Sequence, residues 1–332
     1  MNKPMSVNIE KVTHENIDEF ENYINNSPYG HMFQSSKWAT VKNPSKWEGF
    51  LCKDDKNNIC GCISIMIVTQ NNNETLLYIP RGPICDPTDE TTITELLKQV
   101  KNSANKYPNP TIKIDSNVEY TNQTFIEIMK KNEFEILENK EEPTTIQCQY
   151  VYRINIKDKT LEDILNDFHP NIRYAIRNAE RKNVKVEICG IEKIFDFYHI
   201  MINTGEKDKF YVHNISYYMD ILKEFKENAR LYIAYWNGLP IGGAIAVHYG
   251  TYTWYLYAGT NPNYKKLSPL SIIQWNIIKW AKETNSEWYD LGGTGWINDT
   301  KDMFPGLSYS KEKMGATRYK LTPGIEYKIR NK

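Results

Sequence analysis

Three arginines recur every fourth residue in a segment whose composition favours a helix. Arg173, Arg177 and Arg181 fall within the run Asn171–Lys182, and this spacing places their side chains along one stripe of the helix surface. Lys185 extends the positive charge beyond the run. A stripe of this kind is either a solvated basic face or a surface that contacts phosphate groups, and the spacing alone leaves both interpretations open.

A single lysine, Lys311, lies beyond a strand–helix–strand unit in the last third of the chain. The unit consists of an aromatic strand, Thr253–Gly259, a helix that Pro269 opens and that ends at Glu283, and a second strand, Glu287–Gly293. Proline at a helix start and glycine after a strand are typical of such a crossover. The two glycines at the end of the second strand let the backbone come close to another group.

A similar unit lies earlier in the chain. In both halves a β-hairpin precedes a strand, a helix and a further strand. In the first half these elements are the hairpin 49–67, the strand 76–79, the helix 92–107 and the strand 111–115. In the second half they are the hairpin 231–247, the strand 254–257, the helix 270–283 and the strand 288–291. This order resembles the core order of the acetyltransferase-like (GNAT) fold. We therefore predict an α/β (α+β) protein of two tandem GNAT-like domains, with mixed sheets and flanking helices.

The boundary between the two halves is predicted from a polar segment, Glu138–Thr145, which is typical of a linker. We expect residues 1–148 to form the first domain and residues 149–315 to form the second. The tail, residues 316–332, is interpreted as a terminal strand or hairpin that returns to the first domain.

Neither half has the loop by which GNAT enzymes hold coenzyme A. That loop is rich in glycine, and its backbone N–H groups and the N-terminus of the following helix bind the pyrophosphate. The corresponding segments, residues 80–87 and 261–269, lack paired glycines and contain prolines, which have no N–H to donate. We therefore expect no coenzyme A, no other cofactor, and a different acyl donor.

The overall composition limits the classes of partner. The 332 residues carry 41 Lys+Arg and 41 Asp+Glu, and this zero net charge argues against a protein that coats nucleic acid, so we expect no DNA partner, although it leaves room for a local basic patch. The chain has no run of about 18 apolar residues and no apolar leader at its start. We therefore expect a cytoplasmic monomer with at most peripheral membrane contact.

Six cysteines lie scattered along the chain, at positions 52, 60, 62, 85, 148 and 189. Cys60-Gly61-Cys62 lacks the spacing of a zinc site, and no second pair accompanies it, so we expect no metal site. This pattern is typical of reduced, buried thiols in a cytoplasmic protein.

Four segments, in order along nearly the whole chain, resemble motifs of the Fem family of non-ribosomal peptidyltransferases, which build peptidoglycan cross-bridges. The segments are Phe33–Lys42 (FQSSKWATVK), Tyr78–Pro83 (YIPRGP), Trp254–Gly259 (WYLYAG) and Tyr289–Gly293 (YDLGG). The resemblance implies two GNAT-like domains, an aminoacyl-tRNA donor, and a muramyl pentapeptide acceptor carried on UDP (UDP-MurNAc-pentapeptide) or on lipid (lipid II). Because the sequence has no coiled-coil arm, it is similar to the compact FemX type.

The resemblance assigns several side chains to acceptor binding. Lys42 is expected to contact the diphosphate, for which a flexible point charge is suited; the alternative is a solvated helix lysine. Tyr217 and Tyr257 match acceptor-binding tyrosines, although a core aromatic is an equal alternative for Tyr257. Arg81, in the YIPRGP motif, is also expected to bind the acceptor. His213 occupies the position of a family arginine and cannot make the same permanent bidentate contact.

The resemblance also implies catalytic roles for Lys311 and Asp115. Aminolysis of the aminoacyl ester passes through a tetrahedral oxyanion, which a fixed cation such as Lys311 stabilises. The alternative for Lys311 is a surface lysine in the Lys/Glu-rich turn 311–313. Asp115 matches an aspartate proposed as a base, and it either accepts a proton from the amine or positions it. Asp290 is expected to serve the structure.

With an RNA donor, the arginine stripe of Arg173, Arg177 and Arg181 becomes the expected tRNA contact. The sequence thus predicts an aminoacyltransferase that adds an amino acid from aminoacyl-tRNA to the stem-peptide amine of a peptidoglycan precursor, forming the interpeptide bridge. Two alternatives are an acyl-CoA-dependent GNAT N-acyltransferase and a non-catalytic precursor-binding module. The sequence does not identify the transferred amino acid or the carrier of the acceptor.

Overall fold

The computed structural model describes residues 7–69, 73–138, 143–294, 297–298, 301–302 and 304–328. Residues 139–142 of the predicted linker and residues 329–332 of the tail therefore lie outside the described residues. The chain divides into two compact units. The first comprises residues 1–150, 295–302 and 319–332, and the second comprises residues 151–294 and 303–318.

The described part of the chain forms both strands and helices. The strands are β1 (Val7–Lys11), β2 (Lys46–Asp54), β3 (Ile59–Thr69), β4 (Thr75–Arg81), β5 (Ile84–Cys85), β6 (Pro110–Ser116), β7 (Glu135–Ile136), β8 (Tyr150–Asn155), β9 (Lys185–Cys189), β10 (Ala229–Trp236), β11 (Leu239–Tyr249), β12 (Tyr252–Thr260), β13 (Trp288–Gly293), β14 (Ile297–Asn298), β15 (Lys301–Asp302), β16 (Thr317–Lys320) and β17 (Ile325–Lys328). The α-helices are α1 (Ile17–Asn26), α2 (Ser36–Lys42), α3 (Glu90–Ala104), α4 (Gln123–Lys131), α5 (Leu161–Asp167), α6 (Pro170–Arg181), α7 (Ile194–Asp208), α8 (Ile215–Phe225), α9 (Pro269–Glu283) and α10 (Pro305–Glu312).

The first unit is built on a mixed sheet with the strand order β1-β2-β3-β4-β6-β17-β7, and β5 pairs with β3. Strands β4 and β6 run parallel, in register from Thr75↔Pro110 to Arg81↔Ser116. Helix α3 forms the crossover between them and is capped at its N-terminus by Asp89, whose carboxylate accepts the backbone N–H of Thr92. The apolar side chains of α3 and α4 pack against the sheet in one core.

The second unit repeats this plan with the strand order β16-β8-β13-β12-β11-β10-β9. Strands β12 and β13 are parallel and are joined by α9, which Pro269 opens. Their paired residues run only from Tyr252↔Trp288 to Trp254↔Asp290, so the ends of the two strands lie beyond the ladder. Helices α6 and α9 contribute to the core on one face of this sheet.

The predicted order of elements is confirmed in both halves. Hairpin β2–β3 corresponds to β10–β11, strand β4 to β12, helix α3 to α9, and strand β6 to β13. The tail forms two strands, of which β16 belongs to the second sheet and β17 lies between β6 and β7 in the first. The fully buried side chain of Ile325 in the first core accounts for the position of β17.

The prediction of buried thiols is confirmed for three of the six cysteines and is wrong for the other three. Cys52, Cys62 and Cys85 are buried, whereas Cys60, Cys148 and Cys189 are partly exposed because they lie near strand ends or in a connection. None of the helices in the described parts of the chain has both the length and the apolar composition needed to cross a bilayer.

Candidate functional site

The carboxylate of Asp115 is held in the interior of the first unit. Asp115 lies near the end of β6 and is 1% exposed. Its Oδ2 accepts hydrogen bonds from the Tyr78 hydroxyl at 2.7 Å and from the backbone N–H groups of Ile146 and Gln147 at 2.7 and 2.8 Å. Its Oδ1 is also buried and has no hydrogen-bond partner among the described residues. One carboxylate oxygen is thus anchored, and the other is available to accept a proton or an N–H.

Burial is the largest influence on the proton affinity of Asp115. It raises the pKa of the carboxyl group, against the hydrogen bond from Tyr78 and the positive charge of Arg81, which both act to lower it. A carboxylate with a raised pKa is a stronger base than an exposed aspartate. The local structure therefore suits Asp115 to take a proton from an ammonium or an amine.

Arg81 supports this region from within the protein. Its side chain is 4% exposed, and its guanidinium donates to the carbonyl oxygens of Cys148 at 2.7 Å and Ser116 at 3.4 Å. Its backbone has φ of +61°, which is unusual for a residue with a side chain and marks a locally constrained strand end. The structure thus brings Arg81 and Asp115 together, with two of the arginine's donors directed at main-chain oxygens.

Sequence reasoning missed the side chain that holds the end of β4, Gln34. This residue is fully buried; its Nε2 donates to the carbonyl of Pro80 at 2.7 Å, and its Oε1 accepts the N–H of Ser64 at 2.8 Å. A Cβ at Gly82 would lie 2.5 Å from that Oε1, so a larger residue there would displace the hydrogen-bonded amide. A glutamine among the aromatic residues of the FQSSKW motif was the available signal.

Lys42 lies at the last position of helix α2 in the first unit. Its Nζ sits 5.0 Å from the centroid of the Trp38 ring, which in turn stacks on Phe33 at 4.4 Å. Burial lowers the pKa of Lys42 to about 8. The side chain is partly exposed, and its ammonium lies over an aromatic ring rather than wholly in solvent.

The second unit brings together three of the predicted acceptor-binding residues. The hydroxyls of Tyr217, on α8, and Tyr257, on β12, are 2.8 Å apart. The ring of His213 stacks on Tyr217 with a centroid distance of 4.0 Å and an interplanar angle of 23°. Burial raises the pKa of Tyr217 and raises that of Tyr257 to about 12, so both hydroxyls stay protonated at neutral pH. These phenols are hydrogen-bonding groups rather than bases.

The Nζ of Lys311 is fixed at the end of strand β13. Lys311 belongs to the last turn of α10 and is 8% exposed, which excludes the surface-lysine alternative. Its Nζ donates to the carbonyls of Gly292 at 3.1 Å and Gly293 at 2.7 Å and lies 5.6 Å from the centroid of the Tyr152 ring. The two glycines thus do bring the backbone close to another group, and that group is the lysine ammonium.

A buried ion pair sets the course of the backbone at this strand end. The Nε of Arg153 donates to Oδ2 of Asp290 at 2.8 Å, and Oδ1 of Asp290 accepts the N–H of Gly292 at 2.7 Å. Gly292 has φ of +70°, a conformation that favours glycine. Asp290 therefore positions the carbonyls that Lys311 contacts, as its expected structural role requires, and Arg153 is a positioning residue that sequence reasoning missed.

Helix α6 contains the three arginines of the basic stripe, and the first of them is engaged with the backbone. The N-terminus of α6 is formed by Pro170 and by the His169 ring, which accepts the N–H of Asn171. Arg173 Nη1 donates to the carbonyls of Asn166 at 2.8 Å and Phe168 at 2.9 Å. These two contacts cap the end of the preceding helix, α5.

The remaining positive groups of the stripe face outwards. Arg177, Arg181 and Lys185 are exposed, and Nη2 of Arg181 donates to Oδ1 of Asn178 at 2.9 Å. The surface available for phosphate contacts in this region is therefore formed by Arg177, Arg181 and Lys185 rather than by Arg173.

Two further features bear on cofactor chemistry. The segment between β12 and α9, where GNAT enzymes have a glycine-rich loop, forms a 3₁₀ helix, Pro262–Leu267. In the described part of the chain, no three His, Cys, Asp or Glu side chains gather in a geometry that would hold a metal ion.

The fold and these local sites define a class of protein. The parallel strand pairs joined by α3 and α9, each within a mixed sheet, are the GNAT-like order, and the model of the acetyltransferase (GNAT) domain matches residues 166–321. The protein is a transferase built on two GNAT-like units. More narrowly, the model of the FemAB family matches residues 15–238, and the chain belongs to the FemAB family.

Its relatives of known activity are transferases. The UDP-N-acetylmuramoylpentapeptide-lysine N(6)-alanyltransferase of Weissella viridescens is 23% identical over 286 residues, which cover 83% of this chain and 84% of the relative. The lipid II:glycine glycyltransferase of Staphylococcus haemolyticus is 22% identical over 383 aligned positions, covering 91% of each chain. Both alignments extend through the two halves of the protein.

Solved structures show the same fold. The crystal structure of FemX is similar with a TM-score of 0.87 at 21% identity, over 96% of this chain and 97% of that one. A tandem GNAT protein from the clavulanic acid biosynthesis pathway has a TM-score of 0.58 at 8% identity, over 98% and 100% of the two chains. The predicted class, two tandem GNAT-like domains of the compact FemX type, is confirmed.

Proposed function

We propose that this FemAB-family transferase moves an amino acid from aminoacyl-tRNA to the stem-peptide amine of a peptidoglycan precursor and so forms part of the interpeptide bridge. By their names, the relatives act on the lysine of UDP-N-acetylmuramoylpentapeptide and on lipid II. We propose the same precursor, carried on UDP or on lipid, as the acceptor of this protein. We place the reaction in the cytoplasm, where both tRNA and the precursor's carrier are accessible.

The observation that carries the proposal is the fixed ammonium of Lys311. Transfer of an acyl group from an ester to an amine develops a negative charge on the former carbonyl oxygen. A buried cation that is already held in place stabilises such a charge without the cost of reorientation. The carbonyls of Gly292 and Gly293 hold the Nζ of Lys311 at the end of β13 in this way.

The proposed reaction balances without a cofactor. The stem-peptide amine attacks the carbonyl carbon of the aminoacyl ester, and a C–N bond forms. The tetrahedral intermediate carries its negative charge on oxygen, opposite the ammonium of Lys311. Collapse of the intermediate breaks the C–O bond to the ribose, and the 3′-terminal hydroxyl of the tRNA leaves with a proton that the attacking nitrogen has lost.

Asp115 is the proposed acceptor of that proton. Its Oδ1 is buried without a partner among the described residues, while its Oδ2 is fixed by donors from Tyr78, Ile146 and Gln147. An anchored carboxylate with a raised pKa suits the removal of a proton from an amine.

Binding roles are proposed for the other residues on chemical grounds. The ammonium of Lys42, made less hydrated by burial, suits the diphosphate of the precursor. The hydrogen-bonded pair Tyr217–Tyr257, with His213 stacked beside it, offers hydroxyls and an imidazole to polar groups of the acceptor. Arg177 and Arg181 are the proposed contacts to tRNA phosphates, and Arg81 is proposed to shape the acceptor site through the backbone rather than by direct contact.

Incubation of the full chain with a pool of charged tRNAs tests the proposal. UDP-MurNAc-pentapeptide is offered in one reaction and lipid II in another, and the products are analysed by mass spectrometry. The expected result is a precursor that has gained the mass of one amino acid, only when charged tRNA is present. No added residue on either acceptor would refute the proposed function.

The same assay separates the two alternatives. An acyl-CoA-dependent enzyme would bind acetyl-CoA tightly in calorimetry and would transfer an acyl group without tRNA. A non-catalytic module would bind the precursor equally well with Lys311 or with alanine at that position and would show no turnover with either donor.

A further inference from the structure

Two thiols of the first unit lie in contact across the hairpin β2–β3. The Sγ atoms of Cys52 and Cys60 are 3.5 Å apart, and the Cys60 thiol also donates to the carbonyl oxygen of Cys52 at 3.2 Å. Both residues belong to the apolar face that α3 covers. Neither residue has a role in the transfer reaction proposed above, so this contact calls for a separate explanation.

A bulge in the hairpin produces the contact. The register runs from Cys52↔Gly61 to Lys53↔Ile59, so Cys60 is the extra residue in β3 and lies opposite Cys52 together with Gly61. In a regular ladder, successive residues point to opposite faces of the sheet, and Cys60 would face away from Cys52. The bulge instead turns Cys60 to the same face. Residues opposite each other in adjacent strands have the Cα separation that a disulfide spans.

The surroundings distinguish the two thiols chemically. The hydrogen-bonding contact with the Cys52 thiol lowers the pKa of Cys60, and the same contact raises the pKa of Cys52. The carboxylate of Asp89, at the start of α3, opposes the ionisation of Cys60. Cys60 is partly exposed and Cys52 is fully buried. The pair thus combines a partly exposed thiol with a buried thiol within reach, the arrangement of an attacking and a resolving cysteine.

We propose that Cys52 and Cys60 form a peroxide-oxidisable dithiol, a modification site at which a reversible disulfide links β2 to β3. The Cys60 thiolate attacks one oxygen of a hydroperoxide; an S–O bond forms, the O–O bond breaks, and the departing oxygen leaves as water or an alcohol after taking a proton. Cys52 sulfur then attacks the sulfenic sulfur of Cys60. The S–S bond forms, the S–O bond breaks, and the second oxygen leaves as water with the proton of Cys52.

The electron balance of this sequence is complete. The two thiols together lose two electrons, and the hydroperoxide gains them. Two equivalents of a low-molecular-weight thiol reverse the step through a mixed disulfide and are themselves oxidised to a disulfide.

The two neighbouring thiols are poorer candidates for the same chemistry. Cys62 is fully buried and Cys85 is 3% exposed. Burial raises the pKa of both thiols, so neither supplies an accessible thiolate. The proposal therefore assigns the site to Cys60 with Cys52 and excludes the Cys60-Gly61-Cys62 motif that the sequence brings to attention.

Peptide mapping of the reduced full chain after treatment with hydrogen peroxide tests the proposal. Cleavage after lysine and arginine separates the two cysteines into peptides 47–53 and 57–81. After alkylation of the remaining thiols, the expected product is a covalent pair of these peptides, two hydrogens lighter than their sum. Treatment with a small thiol before alkylation should remove it.

Substitutions identify the sulfurs involved. The linked pair should be lost in Cys60→Ser and in Cys52→Ala and retained in Cys62→Ser, which lies on the same peptide as Cys60, and in Cys148→Ser. Circular dichroism of each variant establishes that it is folded. Absence of the linked pair in the folded wild-type protein after peroxide, or its persistence in Cys60→Ser, would overturn the assignment.

Discussion

Replacement of Lys311 by methionine tests the proposed chemistry most directly. Lys311→Met keeps an unbranched side chain of similar length and removes the ammonium. The ammonium is buried and is held by two main-chain carbonyls at 3.1 and 2.7 Å, so no solvent ion can readily take its place. Removal of one donor to a developing oxyanion costs about 2.7–4 kcal/mol of barrier, which corresponds to about 100- to 1,000-fold in kcat.

The substitution also changes the stability of the strand end. Methionine donates no hydrogen bond, so the carbonyls of Gly292 and Gly293 lose their contacts with Nζ. A buried hydrogen bond to a charged group contributes about 1.5–3 kcal/mol, and we expect the free energy of unfolding to fall by an amount of that order. A loss of rate must therefore be measured on protein that remains folded at the assay temperature.

Single-turnover transfer from a charged tRNA to the precursor, with enzyme in excess, separates the chemical step from product release. Lys311→Met should slow this step by about 100-fold or more while leaving precursor affinity within about twofold. Lys313→Met is the matched control, because Lys313 lies two residues further along, with its Nζ over the Tyr309 ring at 4.2 Å. Its rate should stay within about twofold of the wild type. A folded Lys311→Met enzyme that turns over within threefold of the wild type would refute the reasoning.

Three further predictions follow from the same geometry. Because burial lowers the pKa of Lys42 to about 8, the affinity for UDP-MurNAc-pentapeptide, measured by calorimetry, should be full below pH 8 and fall as the pH rises through that value. Lys42→Arg stays charged and should abolish this fall; if the variant keeps the wild-type pH profile, Lys42 does not belong to the diphosphate site. Asp115→Asn should slow transfer by about 100-fold or more and remove the acid limb of the pH–rate profile. In the wild type this limb should lie above the ordinary aspartate pKa of about 3.9, because burial raises the pKa of Asp115. If the variant keeps the acid limb, the limb belongs to another group. Arg177→Ala should weaken tRNA binding and reduce the slope of log affinity against log salt by about 1. Arg173→Ala should chiefly lower the melting temperature, because Arg173 caps α5. Weaker tRNA binding in Arg173→Ala together with unchanged binding in Arg177→Ala would contradict these assignments.

Local patterns account for the part of the fold that was predictable. The hairpins follow from turn residues between apolar runs, and α9 begins at the proline that marks it. The order of elements in the two halves then indicated the GNAT-like class. The Arg173–Arg181 spacing correctly placed a helix, because a repeat of four residues depends only on the helix period.

Other features depend on distant contacts. The tail was predicted as a terminal strand or hairpin that returns to the first domain, and its exact place beside β6, more than 200 residues earlier, depends on the side chain of Ile325 packing into the first core. Arg173 belongs to the stripe by spacing, but the carbonyls of Asn166 and Phe168 hold its guanidinium, since α5 ends just in front of it. Neither partner is visible in a pattern of residue types.

By itself, the sequence determined the order of elements, the two-fold plan and the identity of the residues with chemical potential, because these depend on local turn chemistry, periodicity and motifs. The tertiary structure alone decided the burial and the hydrogen bonding of these residues. The ammonium of Lys311 is buried because β13 presents the carbonyls of Gly292 and Gly293 to it, and the carboxylate of Asp115 is anchored because residues 146–147 return to the end of β6. Burial and hydrogen bonding, which set charge and proton affinity, arise only when distant segments meet.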